Sequence, residues 1–68
     1  MQDAKPRQWL IDARRAERLT QEDMADLLNV ARTTYNRYET GQRTPSPHIA
    51  DLISNILDVK REHFFWDF

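Results

Sequence analysis

Residues 19–30, LTQEDMADLLNV, run without a break into residues 31–41, ARTTYNRYETG, and this double stretch decides the fold. Thr20 stands where a side-chain oxygen caps the free amides of a helix start, and Glu22 and Asp23 set carboxylates against the positive helix N-terminus. Gln21 falls in that first turn. Met24, Ala25 and Leu28 repeat at the spacing of one helical face and point inward together. Asn29 tolerates the left-handed backbone of a tight exit, and Val30 packs beneath the turn. A second helix is predicted over residues 31–39: Tyr35 and Tyr38 supply an inner face, while Arg32, Thr33, Asn36 and Arg37 fall largely on the other side. Gly41, the only glycine in the chain, ends this helix with a left-handed cap. Thr44, Pro45, Ser46 and Pro47 then turn the chain.

Working outward, three more helices are predicted. Asp3 caps the first, which has Pro6 near its start, runs to about Glu17, and turns Leu10 and Ala13 inward with Trp9 or Ile11 partly so. Arg18 occupies its exit. Ser46 followed by Pro47 starts another helix, whose Ile49, Ala50, Ile53, Ile56 and Leu57 make an apolar face down to Asp58. A last turn or two, from Arg61 to about Trp66, docks Phe64 on that core. The expected fold class is therefore all-α.

A chain of 68 residues is expected to form one domain, residues 1–68, with a two-helix unit at about 20–39 and an aromatic tail at 63–68. There is no cysteine, hence no disulfide framework and no thiolate metal site, and stability must come from helix packing or oligomerisation. No run of about 18 apolar residues exists, and the N-terminus MQDAKPRQ lacks the apolar core of a secretory signal. A cytoplasmic location with no membrane partner is the expectation. The net charge is −1, but it is unevenly spread: +2 over residues 1–18, −3 over 19–30, +2 over 31–44 and −2 over 45–68. One face of such a dipolar molecule can still approach phosphate.

Taken together, these residues resemble the helix-turn-helix domain of the phage repressor and Cro kind, the XRE family, over roughly residues 9–65. The family's pattern of leucine, Ser or Thr, Gln, two acidic or polar residues, an apolar residue and Ala is matched by Leu19, Thr20, Gln21, Glu22, Asp23, Met24 and Ala25. Later elements match at Val30, Tyr35, Arg37, Tyr38, Glu39, Gly41, Arg43, Pro45 and Ser46. The resemblance implies a compact bundle of five helices, lambda repressor-like, in which the helix near residues 31–39 enters the major groove and the preceding helix crosses the backbone. Carried over residue by residue, Arg32, Thr33 and Arg37 face base edges, and Asn36 on the same face joins them as a candidate reader. Gln21, Thr40 and Arg43 contact phosphate. Arg14 matches an arginine that in relatives often pairs with the acid at Glu39. Relatives commonly bind palindromic sites in double-stranded DNA as dimers. The chain departs from the family pattern at Arg18, Asn29 and Asp58, where relatives often carry glycine.

Elementary chemistry agrees with that assignment. Arginine donates two parallel hydrogen bonds to O6 and N7 of guanine, worth roughly 1 to 3 kcal/mol of discrimination, and the threonine methyl can touch that of thymine. A small bacterial or phage transcriptional regulator, a repressor by occupancy of an operator, is the leading expectation. Four aromatic residues stand within residues 63–68, more than so small a domain can bury, and Phe65, Trp66 and Phe68 are candidates for a homodimer contact. The alternative use of that tail and of the acidic surface is a protein-interaction module such as an antitoxin or anti-repressor. Catalysis is not expected, because no Ser, His and Asp set, no Cys and His pair and no glycine-rich phosphate loop is present. His48 and His63 are isolated, so neither a metal nor a cofactor is expected.

Overall fold

The computed structural model describes residues 5–66, with side chains as far as Phe65. Five helices follow one another: α1 (Gln8–Ala16), α2 (Gln21–Leu28), α3 (Arg32–Thr40), α4 (Pro47–Leu57) and α5 (His63–Trp66). No strand occurs among the described residues.

Each boundary has a local cause. Thr20 caps α2 by accepting from the Asp23 amide at 3.0 Å, while the Asp23 carboxylate accepts from the Thr20 amide at 2.9 Å. This reciprocal capping box satisfies two otherwise orphan donors and holds the Asp23 carboxyl below its ordinary pKa. Ser46 caps α4 through the Ile49 amide, with Pro47 preset for the first turn. Four exits use left-handed backbone: Arg18, Asn29, Gly41 and Asp58, with φ of 59°, 57°, 83° and 55°. At Gly41 the need for glycine is twofold, because a Cβ there would lie 2.1 Å from the carbonyl oxygen of Lys5.

The start of α1 differs from the sequence expectation. Asp3 lies outside the described residues, and Pro6 precedes the helix instead of entering it. Helical geometry begins only at Gln8, because Arg7 is committed elsewhere. Its amide donates to the Glu39 carbonyl at 2.7 Å, and its backbone, at φ −86° and ψ 81°, is not helical. The N-terminal segment is thereby tied across the end of α3.

Leu10, Met24, Ala25, Leu28, Tyr35, Tyr38, Ala50, Ile53, Leu57 and Phe64 form the core. All five helices contribute to it. The apolar face predicted for α4 is graded: Ala50, Ile53 and Leu57 are buried, while Ile49 and Ile56 sit at the margin with Leu52, Val30 and Trp9. The tail divides between adjacent residues. Phe64 is buried and meets Trp9 edge-to-face at 4.9 Å, whereas Phe65 is 44% exposed. The Trp66 side chain and the whole of Phe68 lie outside the described residues.

Candidate nucleic-acid interface

Helix α3 is polar on its outer side and tightly held on its inner one. Tyr35, Tyr38 and Glu39 are buried, and Arg32, Thr33, Asn36 and Arg37 are exposed. The 3.6-residue repeat alone produces this split. Its N-cap, Ala31, offers no side-chain oxygen, so the first amides of α3 carry no side-chain cap.

Glu39, only 2% exposed, is the hub of the inner side. Arg14 from α1 donates to it through Nε at 2.6 Å and Nη2 at 3.4 Å, and its Nη1 donates to the Leu19 carbonyl. The Tyr35 hydroxyl donates to Oε2 at 2.7 Å, one helical turn away. Gln21, the first residue of α2, donates from Nε2 to Oε1 at 2.9 Å. Burial alone would push the Glu39 carboxyl up. The hydrogen bonds from Arg14, Gln21 and Tyr35, with the charge of Arg14, outweigh it and hold the group below the usual glutamate range. The same bond to Glu39 raises the pKa of Arg14, and burial raises that of the Tyr35 hydroxyl. The cluster is thus an ionised acid with its guanidinium partner and two neutral donors.

Gln21 faces both ways. Besides its bond to Glu39, its Oε1 accepts from Asn36 Nδ2 at 3.3 Å. A shallow groove lies beside it, lined by Arg14, Arg15, Thr20, Gln21, Glu22 and Arg32, and a smaller one is lined by Gln21, Arg32, Thr33 and Asn36. Gln21, Arg32, Thr33 and Asn36 are therefore gathered at one place, where the start of α2 meets the outer side of α3. Arg37 stands further along α3. Thr40 is half-buried at its end and donates to the Arg37 carbonyl. Arg43 is exposed in the following loop, its amide donating to the Arg37 carbonyl.

The sequence reading missed what holds that loop. Arg7 is buried, and its guanidinium donates to the Tyr38 carbonyl at 2.7 Å, the Arg43 carbonyl at 3.0 Å and Thr44 Oγ1 at 3.0 Å. It also lies over the Phe64 ring, 5.3 Å from the centroid. No local pattern marks an arginine for this role. The Tyr35 link to Glu39 did have a signal, the four-residue spacing that places two side chains on one helical face.

Among the described residues, no group of three or more His, Cys, Asp and Glu side chains is arranged to hold a metal, and no helix is long and apolar enough to cross a membrane.

Comparison with known proteins agrees with this architecture. A family model described as Helix-turn-helix matches residues 10–64. An uncharacterized HTH-type transcriptional regulator, YqaE of Bacillus subtilis (strain 168), is 44% identical over 50 residues, which is 74% of this chain and 43% of that protein. The chain thus aligns with less than half of that relative's length. No solved structure matches it significantly. With a capped α2, a left-handed exit at Asn29 and an α3 held from beneath by α1 and α2, the chain belongs to the XRE family of helix-turn-helix proteins.

Proposed function

We propose that this chain binds double-stranded DNA in a sequence-specific manner and acts as a small transcriptional regulator, repressing by occupancy of an operator. The observation that carries the reading is the outer side of α3. Arg32, Thr33, Asn36 and Arg37 are exposed together on a helix whose inner side is locked to α1 and α2. Such a helix suits a major groove, with Arg32 as the first guanine reader. Gln21, Thr40 and Arg43 flank α3 where phosphates would run. The similarity to an HTH-type transcriptional regulator supports the same role. Residues 1–68 act as one DNA-binding domain in this reading.

Operator symmetry follows if two copies assemble. Phe65 is the described part of the proposed homodimer contact, and a pair of domains would set two copies of α3 about one DNA turn apart, roughly 34 Å, on a palindromic site.

A second reading, a protein-interaction module such as an antitoxin or anti-repressor, rests on the net charge of −1 and on the exposed Leu27 and Phe65. One experiment separates the two: selection of bound duplexes from a random pool at low salt, repeated with Arg32→Ala. The DNA reading expects a recovered consensus in which Arg32→Ala relaxes one base position. Failure to enrich any sequence sinks it and leaves the interaction module.

A further inference from the structure

The amides of Gln21 and Asn36 stand in line with a buried carboxylate. An ionised carboxylate only accepts hydrogen bonds, so the 2.9 Å contact between Gln21 and Glu39 must be a donation from the Gln21 amide nitrogen. Gln21 then turns its oxygen toward Asn36, and the 3.3 Å contact there must be a donation from the Asn36 amide nitrogen. Reversing either amide would set oxygen against oxygen or N–H against N–H. Arg14 and Tyr35 hold Glu39 in place from the other side, at 2.6 and 2.7 Å, so the acceptor at the head of the line does not move away.

We propose that this line of hydrogen bonds fixes the polarity of the Asn36 side chain, so that Asn36 presents its oxygen and its remaining N–H outward and selects adenine at one position of the bound duplex. The inference rests on the DNA-binding reading above and deepens it. An amide has one oxygen and two N–H groups, and spending one N–H on Gln21 leaves an acceptor beside a donor. The major-groove edge of adenine is the complement, an N6 amine donor beside the N7 acceptor. Guanine offers two acceptors there, and thymine an acceptor and a methyl group, so a fixed outward oxygen opposes both. Asn36 is exposed and free of the core, as a reader must be. Gln21 and Glu39 are positioning residues: they touch no base in this scheme, yet they determine which base Asn36 accepts.

The test uses the full chain and the duplex recovered by pool selection. Each base pair of one half-site is replaced in turn by the other three, and each adenine also by purine, which lacks the N6 amine. Affinities are measured for the parent, Asn36→Ala and Gln21→Met, with helical circular dichroism as the check on folding. The parent is expected to favour adenine over other bases by roughly tenfold or more at one position, and to lose that margin with purine. Asn36→Ala should reduce the margin to within about threefold at that position alone, since one bidentate contact is removed. Gln21→Met leaves Glu39 its bonds to Arg14 and Tyr35 but cuts the line, and should relax the same position by about threefold or more even though it weakens all duplexes together. A merely structural Gln21 would leave base ratios unchanged. An adenine margin that survives Gln21→Met, or a set of ratios untouched by Asn36→Ala, overturns the proposal while the DNA-binding reading stands. A parent chain that enriches no duplex removes both.

Discussion

Replacing Arg14 by Met measures what the buried acid costs without its counter-charge. In the parent, Arg14 meets Glu39 at 2.6 and 3.4 Å, with side-chain exposures of 10% and 2% for the pair. Arg14→Met removes the guanidinium bound to that carboxylate and leaves it the neutral donors Tyr35 and Gln21. Stranding one member of a buried pair costs about 3 to 5 kcal/mol. A domain below about 80 residues draws about the same net amount, 3 to 5 kcal/mol, from its single core. Arg14→Met is therefore expected to show no cooperative urea transition in plain buffer, and to regain one in sulfate or sucrose, which strengthen effective burial. The molecule carries its own control. Arg61 and Asp51 also meet at 2.9 Å, but both are about half exposed, and Arg61→Met should change stability by less than about 1 kcal/mol. Combining Arg14→Met with Glu39→Gln should cost less than the sum of the single changes, by about 0.5 to 3 kcal/mol, because a neutral amide strands no charge. The reasoning is refuted if Arg14→Met lies within about 1 kcal/mol of the parent, as a wet pair would.

The low pKa of Glu39 links the same site to acid. Stability from this group is full above its unfolded pKa of about 4.3 and is lost as pH falls through the lower folded value, so Glu39→Gln should flatten the acid limb of a Tm against pH curve below about pH 4. Gly41→Ala should cost more than the roughly 1 to 2 kcal/mol of left-handed strain, since its methyl also meets the Lys5 carbonyl, and urea unfolding reads the loss. Arg7→Met gives up three hydrogen bonds and should lower stability by about 2 to 4 kcal/mol, with faster hydrogen exchange at the Arg43 amide than at α2 amides. Arg43→Ala should weaken all duplexes alike and reduce the slope of log affinity against log salt by about one, whereas a base-reading role would show as a changed preference.

Much of this architecture is written in short-range signals. Thr20 and Ser46 with Pro47 announce α2 and α4 because a cap is satisfied by amides two or three residues away. Tyr35 and Tyr38 mark the inner side of α3, and Gly41 its end, for equally local reasons. The start of α1 was not legible, because Arg7 acts over more than thirty residues of chain: its partners are Tyr38, Glu39, Arg43 and Thr44. Nothing in the sequence around Pro6 distinguishes a buried arginine from a solvated one. Gln21 is a similar case. Its place in the first turn of α2 was clear, but its bond to Glu39 depends on how α2 crosses α3, which periodicity does not specify. In the tail, helical geometry separates neighbours that composition treats alike, turning Phe64 inward and Phe65 out.

The buried network also answers a difficulty posed by α3 itself. The helix has nine residues, no side-chain cap at its start and only Tyr35 and Tyr38 as large apolar groups, so in isolation it would be marginal. Burying two tyrosines gives a large apolar contribution, but apolar contact is non-directional and tolerates rotation about the helix axis. A rotation of one residue, about 100°, would turn the exposed set of Arg32, Thr33 and Asn36 away from any ligand. Hydrogen bonds do have direction. Arg14 from α1 and Gln21 from α2 converge on one carboxylate of α3, and Arg7 grips the two carbonyls at its end and in the following loop. These restraints come from different elements and hold α3 from several directions at its observed angle. An all-apolar replacement of the whole network, packed to equal volume, strands no charge and can match it in stability while releasing that angle, so this replacement, unlike Arg14→Met alone, should appear first in base discrimination and only second in Tm.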